Sequence, residues 1–470
     1  MKIGPRPSFA LPFDRMPEEC GVFGIYNHAE ASRLAYLGIH QLQHRGQESA
    51  GIVTTDGKRF YTHVAMGLVA DVFNRPLLDD MKGRTAIGHV RYGTSGVSSL
   101  VNAQPIVVTT SRGPMALAHN GNLTNALLLR RQLEKEGSIF QTSSDSEVIL
   151  HLVAKSSARD LGAALKEAFS QVEGAYSIVL LTPKTLFVAR DPWGVRPLHI
   201  GRLNGSFVVA SETCAFDIIN ARLVREVKPG EIVAIDGQGI RPIAQLSSTR
   251  LAHCIFEFVY FSRPDSRIFG RSVYEVRREL GRQLARESPV KADVVVAVPD
   301  SSSCAAVGYA ERSGLPLELG LIRSHYVGRT FIEPKQAIRD FGARMKYSAV
   351  ADAVRGKRIV LVDDSIVRGT TSRKLVRMLR RVGVKEIHLR ISSPPILGPC
   401  FYGIDTPETK ELIAARLSVE KIREYLRADS LKYLSLGGML KATKMNPGDF
   451  CTACFTARYP IPLRTNGTIK

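Results

Sequence analysis

The sequence predicts an α+β segment followed by an α/β segment with a parallel sheet. Short strands broken by Gly and Asp turns, with only a few helical stretches, run to about residue 250. After Leu251 helical and strand patterns alternate, which is typical of a parallel sheet with helical crossovers. A length of 470 residues allows two large domains, and we expect the boundary between residues 245 and 270.

The first segment is expected to open with a strand at Cys20, in CGVFGIY. Helical patterns follow near residues 122–137, 146–156 and 161–172. SIVLLTPKTLFVARD is typical of a hairpin with its turn at Pro183-Lys184. In the second segment we expect a helix at 273–287 and strands in ADVVVAVPD and EIHLRISS.

Composition and charge restrict the class of protein. The chain is 44% hydrophobic and 23% charged, and no apolar run approaches the about 18 residues of a membrane span, so we expect a cytoplasmic protein without a membrane partner. Lys and Arg number 64 against 44 Asp and Glu, a net charge of +20 that indicates anionic partners. RNP-type aromatics and Cys/His finger spacing are missing, which favours a polyphosphorylated metabolite over nucleic acid.

The stretch RIVLVDDSIVRGTTS, from Arg358 to Ser372, predicts a phosphate site. An apolar strand ends at Asp363 and Asp364, a short loop with Gly369 follows, and three hydroxyl residues open a helical pattern. Free N–H groups at a helix N-terminus suit a phosphate, and the acids suit a sugar diol or Mg²⁺. It is not a G-x-x-x-x-G-K-[ST] loop, so the usual ATP interpretation fails. The alternative is an ordinary turn with a solvated Asp pair.

Seven cysteines, an odd number in a chain without a secretion signal, argue against a disulfide framework. Cys214 and Cys304 lie in apolar patterns and are expected in the core. The C-x-x-C at 451–454 has a common metal-binding spacing, with a structural zinc site or a redox pair as alternatives.

Six motifs in the first half resemble the glutamine amidotransferases of the N-terminal-nucleophile type, which fold as an αββα sandwich. They are QLQHRGQESAG, HVRYGTSG, AHNGNL, TSSDSE, RDPWGVRPL and SETCAFD. The resemblance implies that Cys20 is the nucleophile, with Asn120 and Gly121 holding the oxyanion. It also implies that Arg91 binds the α-carboxylate of glutamine and Asp145 its α-amino group. The alternatives are a buried structural cysteine at Cys20, a hairpin turn at Asn-Gly, and a strand-end turn or a surface ion pair for Arg91 and Asp145.

Nineteen residues precede Cys20. If the chain is cut before Cys20, its own α-amino group, with a pKa of about 7.7–8.0 in model compounds, is placed to act as the base. We therefore expect residues 1–19 to be a propeptide, although a start at Met16 is an alternative.

RIVLVDDSIVRGTTS resembles the 5-phosphoribosyl-pyrophosphate (PRPP) loop of type I phosphoribosyltransferases. Together with VAVPDSSSCAAVGYA and GLIRSHYVGRTFIEPKQAIRD it resembles the amidophosphoribosyltransferases. That family makes 5-phosphoribosylamine, glutamate and pyrophosphate from glutamine, PRPP and water, the first step of purine nucleotide synthesis. The resemblance implies an internal channel for ammonia between the domains. It puts Asp363 and Asp364 on the ribose hydroxyls and on one Mg²⁺ per subunit, with Ser301 near the metal. The remaining PRPP contacts that it implies are Ile366, Val367, Arg368, Gly369, Thr370, Thr371 and, in a mobile flap, Arg329.

HCIFEFVYFSRPDS and SPPILGPCFYGIDTP resemble the iron–sulfur branch of the same family. The resemblance implies one [4Fe–4S] cluster per subunit, bound by Cys254, Cys400, Cys451 and Cys454, with zinc as the alternative. It also implies a homotetramer that purine nucleotides inhibit by feedback. The expected domains are 1–19, a propeptide; 20–250, the glutaminase; 251–430, the transferase; and 431–470, a helical, cluster-binding appendage.

Two other classes of function remain open from the sequence. A PRPP-sensing regulator with a vestigial glutaminase half would be expected to lack Cys20, Asn120 or the Asp pair, and all are present. A nucleic-acid-binding protein is suggested only by the net charge of +20.

Overall fold

The computed structural model describes residues 18–93, 99–248, 250–324, 347–404, 406–465 and 468–469. Residues 1–17, most of the expected propeptide, and 325–346, which include Arg329, lie outside the described residues.

The first half contains two antiparallel sheets. Its strands are β1 (Glu18–Tyr26), β2 (Ser49–Thr55), β3 (Phe60–Met66), β4 (Thr85–Gly93), β5 (Ile106–Thr110), β6 (Gly113–Leu123), β7 (Gly174–Leu181), β8 (Leu186–Arg190), β9 (His199–Leu203), β10 (Ser206–Ala210), β11 (Arg222–Glu226), β12 (Glu231–Asp236) and β13 (Gly239–Gln245). Seven strands form one sheet in the order β11-β9-β10-β1-β4-β2-β3, and six form the other in the order β13-β12-β8-β7-β6-β5. The β7–β8 pair is the hairpin that the sequence predicts, with Leu181 paired to Leu186.

Helices cover the outer faces of both sheets. They are α1 (Ala31–Gln41), α2 (Val69–Val72), α3 (Arg75–Asp80), α4 (Ala126–Lys135), α5 (Ser146–Lys155), α6 (Leu161–Gln171) and α7 (Cys214–Asp217), with a 3₁₀ turn at Leu100–Asn102. Apolar residues of α1 pack on the first sheet, and those of α5 and α6 pack on the second. Val22, Ile87, Val179 and Val188 fill the space between the sheets. The layers are therefore helix, sheet, sheet, helix, which confirms the predicted αββα sandwich.

The second half is built on a five-stranded parallel sheet. Its elements begin with β14 (His253–Cys254), a π-helix (Glu257–Phe261), β15 (Arg267–Ile268), β16 (Arg271–Ser272), α8 (Val273–Glu287), β17 (Val294–Ala297), α9 (Ser303–Ser313), β18 (Leu317–Glu318), β19 (Leu321–Arg323), β20 (Tyr347–Ala349), α10 (Ala351–Val354), β21 (Arg358–Asp363), α11 (Thr370–Arg381) and β22 (Glu386–Ile391). The rest are α12 (Ile413–Arg416), α13 (Val419–Leu426), β23 (Ser430–Tyr433), α14 (Leu436–Thr443), β24 (Phe450–Cys451), α15 (Ala453–Thr456), β25 (Arg464–Thr465), β26 (Thr468–Ile469) and 3₁₀ turns at Thr409–Glu411 and Pro447–Asp449.

The sheet order is β18-β17-β21-β22-β23, and every neighbouring pair is parallel. Because both faces are covered, the central strands β17 and β21 carry the apolar runs VVVA and IVLV. Leu280 of α8 and Tyr309 of α9 belong to the core on one face, and Leu375 of α11 and Ile422 of α13 belong to the core on the other. The predicted parallel α/β fold is confirmed, and β21 and its loop lie at its centre.

Two details concern the expected domain limits. β23 extends the parallel sheet to Tyr433, so the expected limit at residue 430 falls inside a strand. Cys254 in β14 pairs in parallel with Cys451 in β24, which joins the start of the second half to the C-terminal segment.

Among the described residues no helix is both long and apolar enough to cross a membrane.

Candidate active sites

Cys20 lies in β1 and is completely buried. It is the cross-strand partner of Arg91 in β4, so the expected nucleophile and the expected carboxylate-binding residue are neighbours. Arg91 Nη1 donates to Glu48 Oε2 at 3.1 Å. The carbonyl of Cys20 accepts a hydrogen bond from Arg45 Nε at 3.0 Å. β1 already runs through Glu18 and Glu19, so in the uncut chain the nitrogen of Cys20 is a peptide nitrogen, not a basic amine.

Asn120, in β6, is connected to the strand that carries Cys20. Its Nδ2 donates to Ser211 Oγ at 3.2 Å, and the same Oγ accepts from the Val22 amide at 3.0 Å. Asn120 Oδ1 is buried and has no hydrogen-bond partner among the described residues. The carboxamide is therefore held beside the nucleophile strand, with one of its two N–H groups still available to a ligand.

Gly121 occupies a position that only glycine tolerates. Its φ is +153°, and a Cβ there would lie 2.0 Å from the Ala175 carbonyl oxygen. Both Asn120 and Gly121 lie inside β6, so the alternative interpretation of Asn-Gly as a hairpin turn is wrong.

Asp145 precedes α5 and lies next to this strand. Its Oδ2 accepts from the Leu123 amide at 2.8 Å, and its Oδ1 accepts from Ser146 Oγ at 3.1 Å. Burial opposes ionisation, but His119 and these hydrogen bonds outweigh it and lower the pKa of Asp145. A negative charge is thus kept close to Asn120 and Gly121, as a site for an ammonium group requires.

Asp363 and Asp364 lie at the C-terminal end of β21 and are 7% and 6% exposed. Ser301 Oγ donates to Asp364 Oδ2 at 2.5 Å, and Ser302 Oγ donates to Asp363 Oδ1 at 3.2 Å. Burial first raises the pKa of Asp363, and the neighbouring Asp364 raises it further. Because both side chains are buried, the alternative of a solvated Asp pair is wrong. Two buried carboxylates repel each other unless a cation or a proton is present.

The loop after the acids ends at the N-terminus of α11. Gly369 is the N-cap residue with φ +74°, and Thr370 and Thr371 are exposed in the first turn. Ile366 is buried, and the carbonyl of Val367 accepts from the Ile413 amide at 2.9 Å. Arg368 is exposed and forms an ion pair with Glu411 at 3.1 Å. The loop thus has a fixed base and leaves the amides and hydroxyls of a helix N-terminus accessible.

Most of the predicted flap, including Arg329, lies outside the described residues. Its flanks are described: β19 and β20 form an antiparallel pair, with Arg323 opposite Tyr347. Arg323 Nη1 also contacts Asp300 Oδ2 at 2.8 Å, which brings a cation beside the loop that carries Ser301.

The four cysteines expected to bind a cluster lie in or against one apolar core. Burial raises the pKa of Cys454 well above the usual range, and Cys254, Cys451 and Cys400 raise it further. Cys254 and Cys451 are also paired across β14 and β24. Burial also raises the pKa of Cys254 to about 12. Among the described residues, however, no group of three or more His, Cys, Asp or Glu side chains is arranged to hold a metal ion.

Several site residues were not assigned a role from the sequence. Four of them lie inside the motifs of the first half: Arg45 in QLQHRGQESAG, Arg196 in RDPWGVRPL, and Ser211 and Glu212 in SETCAFD. The motifs did not indicate which residues these side chains contact. Glu257 accepts hydrogen bonds from Arg45 and Arg196, and nothing in the sequence indicated this contact.

Comparison with protein families gives two domain matches. Residues 89–217 match the model of a glutamine amidotransferase domain, and residues 271–392 match that of a phosphoribosyl transferase domain. The first match contains Arg91, Asn120, Gly121 and Asp145, and the second contains Ser301, the Asp pair and the loop at 366–371.

Similar proteins extend over nearly the whole chain. The chain is 53% identical to the amidophosphoribosyltransferase of Bacillus subtilis over 451 residues, 95% of each protein. It is 54% identical to the chloroplastic amidophosphoribosyltransferase 1 of Arabidopsis thaliana over 446 residues, 94% of this chain and 79% of that protein. A solved glutamine PRPP amidotransferase from B. subtilis, complexed with ADP and GMP, superimposes with a TM-score of 0.90 at 51% identity and covers 96% of this chain and 99% of its own.

Proposed function

Because the chain belongs to the amidophosphoribosyltransferase family, we infer that it converts glutamine, PRPP and water into 5-phosphoribosylamine, glutamate and pyrophosphate. It is thus a glutamine amidotransferase and a pentosyltransferase that acts at the first step of purine nucleotide biosynthesis. The observation that carries this conclusion is the 53% identity over 95% of both chains. The individual roles below are our proposals for this chain.

Cys20 is the proposed nucleophile of glutamine hydrolysis, after residues 1–19 are removed. Its sulfur adds to the carboxamide carbon, and the freed α-amino group takes the thiol proton and passes it to the leaving ammonia. Water then cleaves the thioester and releases glutamate. Asn120 Nδ2 and the Gly121 amide stabilise the oxyanion, and such donors are typically worth about 10²–10³ in rate. Arg91 and Asp145 bind the two charged groups of glutamine. The contacts through Ser211 and Leu123 support this arrangement.

Asp363 and Asp364 are the proposed ligands of the ribose hydroxyls and of one Mg²⁺ per subunit, with Ser301 beside the metal. Mg²⁺ is usually held by one or two carboxylates plus substrate phosphates, so a site with few protein ligands suits it. The raised pKa of both buried carboxyl groups supports a cation there, since the charge would relieve their repulsion. Bound Mg²⁺ would neutralise charge on the pyrophosphate. Residues 366–371 hold the 5-phosphate at the helix N-terminus, and Arg329 is proposed to shield charge at C1 of the ribose.

Ammonia is proposed to pass between the sites inside the protein, because protonation in bulk water would leave it non-nucleophilic. Close contact between the halves supports this. Asn122 Nδ2 donates to the Phe401 carbonyl at 2.9 Å. A Cβ on Gly403 would lie 2.8 Å from the backbone of Gly121. The oxyanion strand and the second half thus leave no room there for a layer of water.

We propose that Cys254, Cys400, Cys451 and Cys454 bind one [4Fe–4S] cluster per subunit. Four thiols in one core fit the donor set of such a cluster. Burial is the first cause of the raised pKa values of Cys254, Cys451 and Cys454, and a bound metal would compensate the charge of their thiolates. A bound cluster would link the start of the second half to the C-terminal segment, a structural role. Zinc remains the alternative ligand of the same thiols.

The remaining proposals concern partners and organisation. The solved relative contains ADP and GMP, which supports purine nucleotides as feedback inhibitors of this chain. We further propose a homotetramer, as the family resemblance implies, a cytoplasmic location, and the domain limits 1–19, 20–250, 251–430 and 431–470.

Paired product counting tests the function. With glutamine, PRPP and Mg²⁺, glutamate and pyrophosphate should appear in equal amounts and at the same rate. Omission of PRPP should suppress most glutamate release. Glutamate formed at the same rate without PRPP would contradict the coupled reaction.

A further inference from the structure

The Arg45 guanidinium connects the expected nucleophile to the second half of the chain. Its Nε donates to the Cys20 carbonyl at 3.0 Å. Its two terminal nitrogens donate to Glu257, with Nη2–Oε1 at 2.7 Å and Nη1–Oε2 at 3.1 Å. Both side chains are 0% exposed, so the pair is bidentate and completely desolvated.

Glu257 comes from beyond the last strand of the αββα sandwich. It is the first residue of the π-helix, a rare conformation that is often found at functional sites. Its carboxylate also accepts from Arg196 Nη1 at 3.0 Å and from Ser262 Oγ at 2.5 Å. Its position is therefore fixed by two arginines and a hydroxyl.

The π-helix is itself held by the transferase half. Arg277 of α8 donates from Nε to the Phe258 carbonyl and from Nη2 to the Ser262 carbonyl, both at 2.7 Å. α8 packs on α9, which begins directly after Ser301 and Ser302. The hydrogen bonds thus form a continuous path from α8 to the carbonyl of Cys20.

We propose that Glu257 is a positioning residue of the glutaminase site, which holds Arg45 so that Arg45 fixes the backbone of Cys20. The inference rests on the proposed role of Cys20 as nucleophile. Once residues 1–19 are gone, the pairing of Glu18 and Glu19 with β4 is lost, and the hydrogen bond from Arg45 to the Cys20 carbonyl helps the pairing with Arg91 to hold the new terminal residue. The second half of the chain therefore supplies a part of the glutaminase site.

A purely structural role would also make Glu257 important. Removing one member of a buried ion pair typically costs about 3–5 kcal/mol, so loss of stability does not distinguish the two roles. Arg45 has a second acid, Glu212, on Nη1. Glu257→Gln therefore leaves Arg45 with Glu212 as a counter-ion, although it also removes the carboxylate that pairs with Arg196.

The test compares glutamine-dependent and ammonia-dependent synthesis of phosphoribosylamine in full-length, processed Glu257→Gln. We expect kcat with glutamine to fall about 10- to 100-fold, because a displacement of about 1 Å at a nucleophile has that effect. The KM for glutamine and the ammonia-dependent rate should stay within about twofold, because Arg91, Asp145 and the Asp pair are not touched.

Glu226→Gln is the matched control. Glu226 is the acid partner of another buried arginine, Arg190, at 2.8 Å, and has no hydrogen bond to Cys20 or Arg45. This variant should leave both rates within about twofold of the unmodified enzyme. Equal losses of the glutamine and ammonia rates in Glu257→Gln, or no loss of either, would overturn the inference.

If Glu257→Gln fails to fold, Ser262→Ala tests the same inference, because it removes only the hydroxyl that donates to Glu257. We expect its glutamine kcat to fall at least about threefold with an unchanged ammonia rate, and no change beyond about 1.5-fold would overturn the inference. A failure of the proposed function would be distinguishable, because the unmodified enzyme itself would then not release glutamate and pyrophosphate together.

Discussion

At the scale of single residues, the two adjacent carboxylates at the end of β21 are costly to bury. Asp363 and Asp364 are almost inaccessible, and their hydrogen-bond partners are hydroxyls and a backbone amide. The charge of Arg277 opposes the rise in the pKa of Asp364 but does not cancel it. Desolvation and mutual repulsion both disfavour the doubly ionised pair. Such a pair is kept where a ligand supplies the missing positive charge, so it points to binding rather than to stability.

Asp363→Asn and Asp364→Asn are expected to lower kcat/KM for PRPP about 10²-fold or more, with either glutamine or ammonia as nitrogen donor. The fold should persist, because each change removes a buried charge and keeps the shape. Steady-state kinetics with varied PRPP and Mg²⁺ measure the effect. Asp293→Asn is the control, since Asp293 lies just before β17 in the same half and pairs with Arg358 at the surface. Unchanged KM and kcat in both variants would show that the Asp pair does not belong to the PRPP site.

The chemistry of single residues was predictable where it follows from residue type and order. The Asp pair was predicted in this way, whereas the roles of Cys20 and Asn120 were implied by the resemblance to the glutamine amidotransferases. The structure places Cys20 opposite Arg91 and links Asn120 through Ser211 to the strand of Cys20. Glu257 was not identifiable, because its contact with Arg45 spans 212 residues and no local pattern encodes it.

At the scale of elements, the transferase site depends on how closely α8 and α9 cross. A Cβ on Gly281 would lie 1.8 Å from the Ala305 carbonyl oxygen, and one on Gly308 would lie 1.9 Å from the Arg278 carbonyl oxygen. The two glycines therefore allow the helix backbones to touch. Since α9 follows Ser301 and Ser302 directly, this crossing sets the position of the hydroxyls that contact the Asp pair.

Gly281→Ala should destabilise the protein by about 1–3 kcal/mol, as overpacking typically does, and should raise the KM for PRPP. Thermal unfolding and steady-state kinetics measure the two effects. Gly437→Ala is the control: this residue lies in α14 with nothing within 4 Å of an added Cβ. Alanine at this position should stabilise the protein by about 0.5–1 kcal/mol and leave the KM for PRPP unchanged. Equal stability of the two variants would contradict the close crossing.

Local signals predicted the regular elements well. α8 was expected at 273–287 and is found there, because Ser272 caps it and Val276, Leu280 and Leu284 form an apolar face. The π-helix was not expected, and the side chains that contact it, Arg277 and Arg45, come from elements distant in the sequence.

At the scale of the whole molecule, the two halves share buried polar contacts that neither could satisfy alone. Arg196 of the first half donates from Nε and Nη2 to the Tyr402 carbonyl at 3.1 and 3.0 Å. Tyr402 in turn donates its amide to Cys400 Sγ at 3.3 Å. The segment of Arg196 in the first half is thus connected to Cys400 in the second half through hydrogen bonds at Tyr402.

The cluster proposal is tested on protein purified without oxygen. It should be brown and contain about four irons per chain, and Cys451→Ser or Cys454→Ser should lose the colour and lower the melting temperature. Cys214→Ala is the control, because this buried cysteine lies in a different core. Colourless, folded protein with stoichiometric zinc would contradict the cluster and favour the zinc alternative.

The order of the two folds was predictable from the change in strand and helix rhythm near residue 250. Their mutual docking was not, because it depends on contacts such as Asn122 to Phe401, which are 279 residues apart. Sequence periodicity reports which face of an element is buried, but it does not report which distant element covers that face.

The central claim is that one chain has two separable sites joined by the transfer of ammonia. Cys20→Ala should lose glutamine-dependent synthesis by at least about 10³-fold, since the thiol is the only proposed nucleophile for glutamine. Supplied with ammonium at alkaline pH, where more free ammonia exists, it should still form phosphoribosylamine from PRPP and Mg²⁺ at the rate of the unmodified enzyme. Glutamine use by Cys20→Ala at the unmodified rate, or loss of the ammonia-dependent reaction in a folded variant, would contradict the account.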